Sequence, residues 1–151
     1  MPNLELKLKQ KVPNTSEASA VGPFKAVIPR GSESFKKLVR NSNPDVIFKS
    51  EEANKEDDRM MTPRLSEKVN LLAGLVKAAF PGLKLRITEA WDDSTVHAKT
   101  SRHLEGRAVD ITISDRDGAK LGRLAGLAVE AGFDWVFFEN EAHVHASVKR
   151  Q

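Results

Sequence analysis

The chain has 151 residues, 40% hydrophobic and 30% charged, with a formal net charge of +3, a composition that suits one soluble domain with its own core. No apolar run approaches the ~20 residues of a membrane-spanning helix, and no basic patch interleaved with aromatics marks a nucleic-acid binder. The absence of cysteine excludes disulfides and thiolate ligands, so a metal would have to be held by nitrogen and oxygen donors.

Residues 1–22 read as a flexible arm, small and polar from Asn14 to Gly22. Lys7, Lys9 and Lys11 make its first half basic, which suits weak polyanion contact at most. The first ten residues alternate charged and apolar side chains and lack the apolar core of a signal peptide. Residues 23–151 read as a single domain. Phe24–Ile28 is a predicted strand, Ser32–Val39 a short helix and Val46–Phe48 a second strand, followed by an acidic loop over 49–60.

Thr62-Pro63 then opens the best-defined helix, with threonine as N-cap and proline in the first turn. Leu65, Val69, Leu72, Val76 and Ala79 recur at spacings of four and three on one face, and Phe80-Pro81-Gly82 stops it. Leu83, Leu85 and Ile87 alternate with polar residues in a strand that delivers Glu89. Gly106–Ile113 alternates in the same way, turning Val109, Ile111 and Ile113 into a core and Asp110 to the other face.

A second helix follows Ser114-Asp-Arg-Asp117, with Leu121, Leu124, Leu127 and Ala128 as its face and Gly132 as its stop. Asp134–Phe138 is the next strand and ends at Glu139. Ala142–Val148 alternates again, with His143 and His145 on one face. The expected fold is α+β: two main helices on one face of a mixed sheet, leaving the opposite face for a metal cleft.

All four histidines (His97, His103, His143 and His145) fall within a span of a third of the chain, beside spaced carboxylates. His103, Asp110 and a histidine of the 143/145 pair supply two nitrogens and one oxygen, the ligand set of a zinc site with an open fourth position. Histidines two residues apart on a strand lie about 7 Å apart, so one can bind metal while the other stands beside a substrate. The spacing does not say which. Glu51, Glu52, Asp57, Asp58, Glu89, Asp92 and Asp93 form a separate acidic set. It reads either as a solvated surface or as hard oxygen ligands for calcium.

Long strings in this chain resemble the amino-terminal signalling domain of hedgehog proteins over about residues 24–149. They are Asn43-Pro-Asp-Val-Ile-Phe-Lys49, Leu83-Lys-Leu-Arg-Ile-Thr-Glu89, Glu105-Gly-Arg-Ala-Val-Asp-Ile-Thr112, Ser114-Asp-Arg-Asp117 and Leu127-Ala-Val-Glu-Ala-Gly-Phe-Asp-Trp-Val136. Ser101-x-His-x-x-Gly-x-Ala-x-Asp110 also resembles zinc D-Ala-D-Ala carboxypeptidases, which share this core, as do lysostaphin-type peptidases. The resemblance implies zinc at His103, Asp110 and His145, with Glu139 activating the zinc-bound water and His97 and His143 flanking the open position. It implies one or two calcium ions at Glu51, Glu52, Asp58, Glu89 and Asp92, with Ser94 where the family has another aspartate. It also implies a secreted or extracytoplasmic location.

The chain lacks the family's lipid-bearing cysteine, and its basic arm is only a scatter of lysines. These departures fit a distant or microbial relative, or a fragment. Two functions follow as expectations. The first is a zinc peptidase that cuts a peptide or peptidoglycan-stem amide, favoured because Glu139 and two spare histidines are retained. The second is a signalling or adhesion ligand that uses the metal cleft to dock a protein receptor.

Overall fold

The structure is a computed structural model that describes residues 4–93 and 100–150. Its main sheet has six strands in the order β1 (Lys11–Val12), β7 (Trp135–Phe137), β8 (Val144–Ser147), β6 (Ala108–Ile113), β5 (Leu85–Glu89), β3 (Val46–Phe48). Only β3 runs parallel to its neighbour; the other pairings are antiparallel. A two-stranded ribbon joins β2 (Val39–Arg40) to β4 (Met60–Met61). The helices are α1 (Glu17–Val21), α2 (Glu33–Lys36), α3 (Pro63–Ala79) and α4 (Leu121–Ala131). The expected α+β class with a mixed sheet is what the chain forms. Among the described residues no helix is long and apolar enough to cross a membrane.

α3 begins where the local chemistry places it. Thr62 Oγ1 accepts a bond from the Leu65 amide at 3.2 Å and Pro63 occupies the first turn, so two of the orphan amides at this end need no other partner. Leu65, Val69, Leu72, Ala73 and Val76 are buried. Ala79 was expected on the same face but is exposed, because the last turn runs past the core. α4 starts later than its sequence suggests. Asp117 caps a short 3₁₀ turn at Gly118–Lys120 rather than the helix itself. The helix ends as expected at Gly132, whose φ of 93° suits glycine.

Both helices pack against the same side of the sheet. There they meet Leu85, Ile87, Val109, Ile111, Ile113, Val136, Val144 and Ala146, all buried in one core. The period of two in each strand therefore sends Arg86, Thr88, Asp110, Thr112, Trp135, Phe137, His145 and Ser147 to the opposite face.

Two expectations change in the structure. Phe24–Ile28 is not a strand. It lies against the 3₁₀ turn Arg102–Glu105, with the Ile28 amide donating to the Leu104 carbonyl at 2.8 Å and the Lys25 amide to Glu105 Oε2 at 3.0 Å. With those partners it has no sheet edge to join.

The segment read as an arm packs into the fold from Leu4 onward. Leu6 is 3% exposed within the core, and β1 pairs with β7, placing Lys11 opposite Phe137. Leu4–Leu6 crosses α4 at Gly122 and Gly126, the Leu6 amide donating to the Gly122 carbonyl at 3.0 Å. A Cβ on Gly126 would sit 1.8 Å from the Leu4 carbonyl oxygen, so the approach requires glycine there. Further along, Arg107 and Arg102 hold the last carbonyls of α1 through Val21 O at 2.7 Å and Gly22 O at 2.9 Å.

Candidate metal centre

Asp110 and His145 are direct cross-strand partners on β6 and β8. His103 reaches them from the 3₁₀ turn, whose start is capped by Ser101 and whose end is set by Gly106 at φ 69°. His145 Nδ1 lies 3.0 Å and His103 Nε2 3.2 Å from the same oxygen, Asp110 Oδ1. One donor atom from each of the three residues lies within 4.8 Å of the others, and the residues are only 6–8% exposed.

The rear nitrogens are also held. His103 Nδ1 is 2.9 Å from the Ala90 carbonyl and His145 Nε2 is 2.6 Å from Glu17 Oε2. Each ring thus turns one nitrogen toward the shared centre and the other toward an acceptor, which fixes its tautomer and orientation.

Glu139 and His143 stand beside this trio. His143 Nε2 is 3.1 Å from Glu139 Oε1 and 3.5 Å from Asp110 Oδ2, so Asp110 faces both groups. A cleft of about 510 Å³ opens over them, with Trp135 and Phe137 forming an apolar wall. Lys9 contacts two of the lining residues, its Nζ donating to the Glu139 carbonyl at 2.6 Å and lying near the Phe137 ring, which Lys11 also approaches. His97 lies outside the described residues, as does Ser94.

Concentrated charge perturbs every member of the group. Burial alone would raise the Asp110 pKa, but hydrogen bonds from His103 and His145 hold it far below the usual carboxylate range. Burial pulls His145 down, yet its bonds to Asp110 and Glu17 override that and push it up to about 10. His103 is raised in the same way through Asp110. His143 is raised chiefly by Glu139, which its hydrogen bond lowers in return.

The acidic set is only partly gathered. Asp57, Asp58, Glu89 and Asp92 line one recess of about 380 Å³. Asp58 is buried there, accepting from the Ser50 amide at 2.8 Å and the Ala90 amide at 3.3 Å, and burial pushes its pKa up. Glu51 and Glu52 do not line that recess. Glu51 pairs with Arg59, and Glu52 bridges Arg86 and Arg116 at 3.0 and 3.1 Å.

Sequence reasoning missed Glu17. It contacts His145 across 128 positions, and nothing in its local pattern distinguishes it from a solvated acid. The aromatic wall was missed as well, although a signal was there, since Trp135 and Phe137 alternate with the core residue Val136.

The chain is similar to known proteins along nearly its whole length. The chain is 53% identical over 148 residues to the Tiggy-winkle hedgehog protein of Danio rerio, covering 97% of this chain and 35% of that protein. It is 53% identical over 150 residues to the Indian hedgehog protein of Gallus gallus, covering 98% and 36%. It is 51% identical over 146 residues to Protein hedgehog of Drosophila erecta, covering 95% and 31%. The chain thus spans about a third of the length of the curated relatives it matches. The family description that matches, the hedgehog amino-terminal signalling domain, runs from residue 3 to residue 147 and takes in every strand of the sheet and all of the His–Asp cluster. The chain therefore belongs to the hedgehog amino-terminal signalling domain family.

Proposed function

We propose that this chain is an extracytoplasmic signalling-ligand domain that docks a protein receptor through the cleft over His103, Asp110 and His145, with zinc held by those three side chains. The observation that carries this reading is the end-to-end family match. The cleft supports it, because an apolar wall beside buried, oriented polar groups is the make-up of a binding hot spot. The donor set suits zinc: two imidazole nitrogens and one carboxylate oxygen converge, and both rings are fixed from behind. When bound, the ion would supply a Lewis-acidic fourth position to a docking group. The chain's own residues do the rest. Trp135 and Phe137 exclude water, and Glu139 with His143 offers an acceptor and a donor at the rim. Polyanion contact by the amino-terminal lysines is at most a minor role, since Lys9 and Lys11 sit beside Phe137.

The Glu139–His143 contact beside Asp110 favours a second reading, a zinc peptidase acting on a peptide or peptidoglycan-stem amide. There Glu139 would accept the proton and His143 would face the developing oxyanion. One experiment separates the two. Zinc-loaded wild type, Glu139→Ala and Phe137→Ala are tested against a broad peptide library and, in parallel, for binding to a hedgehog receptor ectodomain. Docking predicts no cleavage, and a loss of about tenfold or more in affinity for Phe137→Ala. Cleavage that falls about 10²- to 10⁴-fold in Glu139→Ala would replace the docking reading with the peptidase.

We further propose calcium at the recess of Asp58, Glu89 and Asp92, completed by Glu51 and Glu52 once they leave their arginines. Clustered carboxylates repel one another and destabilise the compact state until a cation bridges them. Millimolar calcium should raise the melting temperature and slow amide exchange over residues 49–60, and this gain should shrink in Asp58→Asn. Identical melts and exchange with and without calcium would remove the site.

A further inference from the structure

Glu17 approaches the metal centre from behind, on a segment that is otherwise remote from it. Its Oε2 lies 2.6 Å from His145 Nε2, while Nδ1 of the same ring faces Asp110 at 3.0 Å. An imidazole has only these two nitrogens, so the carboxylate decides which one is free for the centre and how the ring is turned. His103 is oriented differently, by the Ala90 carbonyl at the end of β5. One ring is therefore set by the rigid sheet and the other by a short element held only through tertiary contacts.

α1 has five residues, too few to be stable alone. It stays in place because its neighbours hold it. The Trp135 indole donates to the Thr15 carbonyl at 3.1 Å, Arg102 and Arg107 take the carbonyls at its end, and β1 pairs with β7. Upstream, Leu4–Leu6 lies on the Gly122/Gly126 face of α4. Whatever loosens this strap takes Glu17 away from His145.

We propose that Glu17 is a positioning residue for the metal centre, so that zinc binding and docking of residues 4–22 are thermodynamically coupled. The inference rests on the zinc assignment made above. A carboxylate behind a metal-binding imidazole fixes its tautomer and raises its basicity, and removing such a partner lowers metal affinity about 10- to 100-fold. Coupling is reciprocal: if the docked strap strengthens zinc binding by that factor, zinc strengthens docking of the strap equally.

The test titrates zinc against a competing chromophoric chelator in wild type, Glu17→Gln, Glu17→Ala and His145→Ala, and follows amide exchange of residues 4–22 with and without zinc. Glu17→Ala should bind zinc about 10- to 100-fold more weakly. Glu17→Gln, which keeps an acceptor but not the charge, should fall between that variant and wild type. Zinc should slow exchange across residues 4–22 in wild type and do so much less in Glu17→Ala. Gly126→Ala, which touches no ligand, should weaken zinc binding by displacing the strap; the Glu17 variants decide the matter if it fails to fold. Wild-type zinc affinity and protection in Glu17→Ala would overturn this inference and leave the zinc site standing. Absence of zinc binding in wild type, or undiminished binding in His145→Ala, would overturn both.

Discussion

Replacing His145 with alanine should abolish stoichiometric zinc binding and the stability that accompanies it. Metal present at about a thousand times its Kd contributes about 4 kcal/mol to folding, and that amount should disappear from the zinc-loaded melt of the variant. The expected effect is large because the proposed ligands come from separate segments, the 3₁₀ turn and two strands, which one ion would tie together.

The pH dependence should differ between chelated and loaded protein. In chelated wild type, His145 is raised from 6.5 to about 10, burial being overridden by its bonds to Asp110 and Glu17. A raised histidine stabilises fully below its unfolded value, and that contribution fades as pH climbs from about 6.5 toward 10. Asp110, held low by the two imidazoles despite burial, contributes above the ordinary carboxylate range and fails only in strong acid. Chelated protein should therefore lose stability between about pH 6.5 and 10. Zinc-loaded protein should gain over the lower part of that range, because the ligands bind metal in their deprotonated forms. Melts across this window with and without chelator check the contrast; parallel curves would show that zinc does not engage these histidines.

Arg107→Ala should be among the most destabilising single substitutions in the chain, at about 3–5 kcal/mol, the range for removing one partner of a buried pair. Arg107 is 1% exposed. Its Nη2 contacts Glu105 Oε1 at 2.7 Å, and its Nη1 donates to the carbonyls of Val21 at 2.7 Å and Val148 at 3.1 Å. Alanine would leave Glu105 Oε1 without the guanidinium that faces it, although Oε2 keeps the Lys25 amide and Arg150, and would leave those carbonyls without this donor. It would also release the end of α1, so proteolysis within residues 4–22 should accelerate alongside the loss measured in urea. Replacing both members, Arg107→Met with Glu105→Leu, should recover much of the stability, since an apolar pair avoids the desolvation cost. A loss below about 1 kcal/mol in Arg107→Ala would place the anchor of this segment elsewhere.

What could be read from the sequence follows from short-range rules. Thr62-Pro63 set the start of α3 and Gly132 the end of α4 because caps act within a few residues. Alternation in β6 and β8 put Asp110 and His145 on the face away from the helices because a strand's period is two. Spacing left His143 and His145 equivalent, and only the resemblance to hedgehog domains chose between them.

The tertiary structure decided what depends on partners distant in sequence. Strand register set Asp110 opposite His145. The availability of a sheet edge made β1 a strand and left Phe24–Ile28 without one. Arg59, Arg86 and Arg116 drew Glu51 and Glu52 away from the acidic recess. Glu17 reached His145 because Trp135, Arg102 and Arg107 hold the short helix that carries it, in a segment whose composition reads as an arm. Composition reports what a segment can bury through its own side chains. This segment is held largely by backbone hydrogen bonds to partners that only the folded chain brings near.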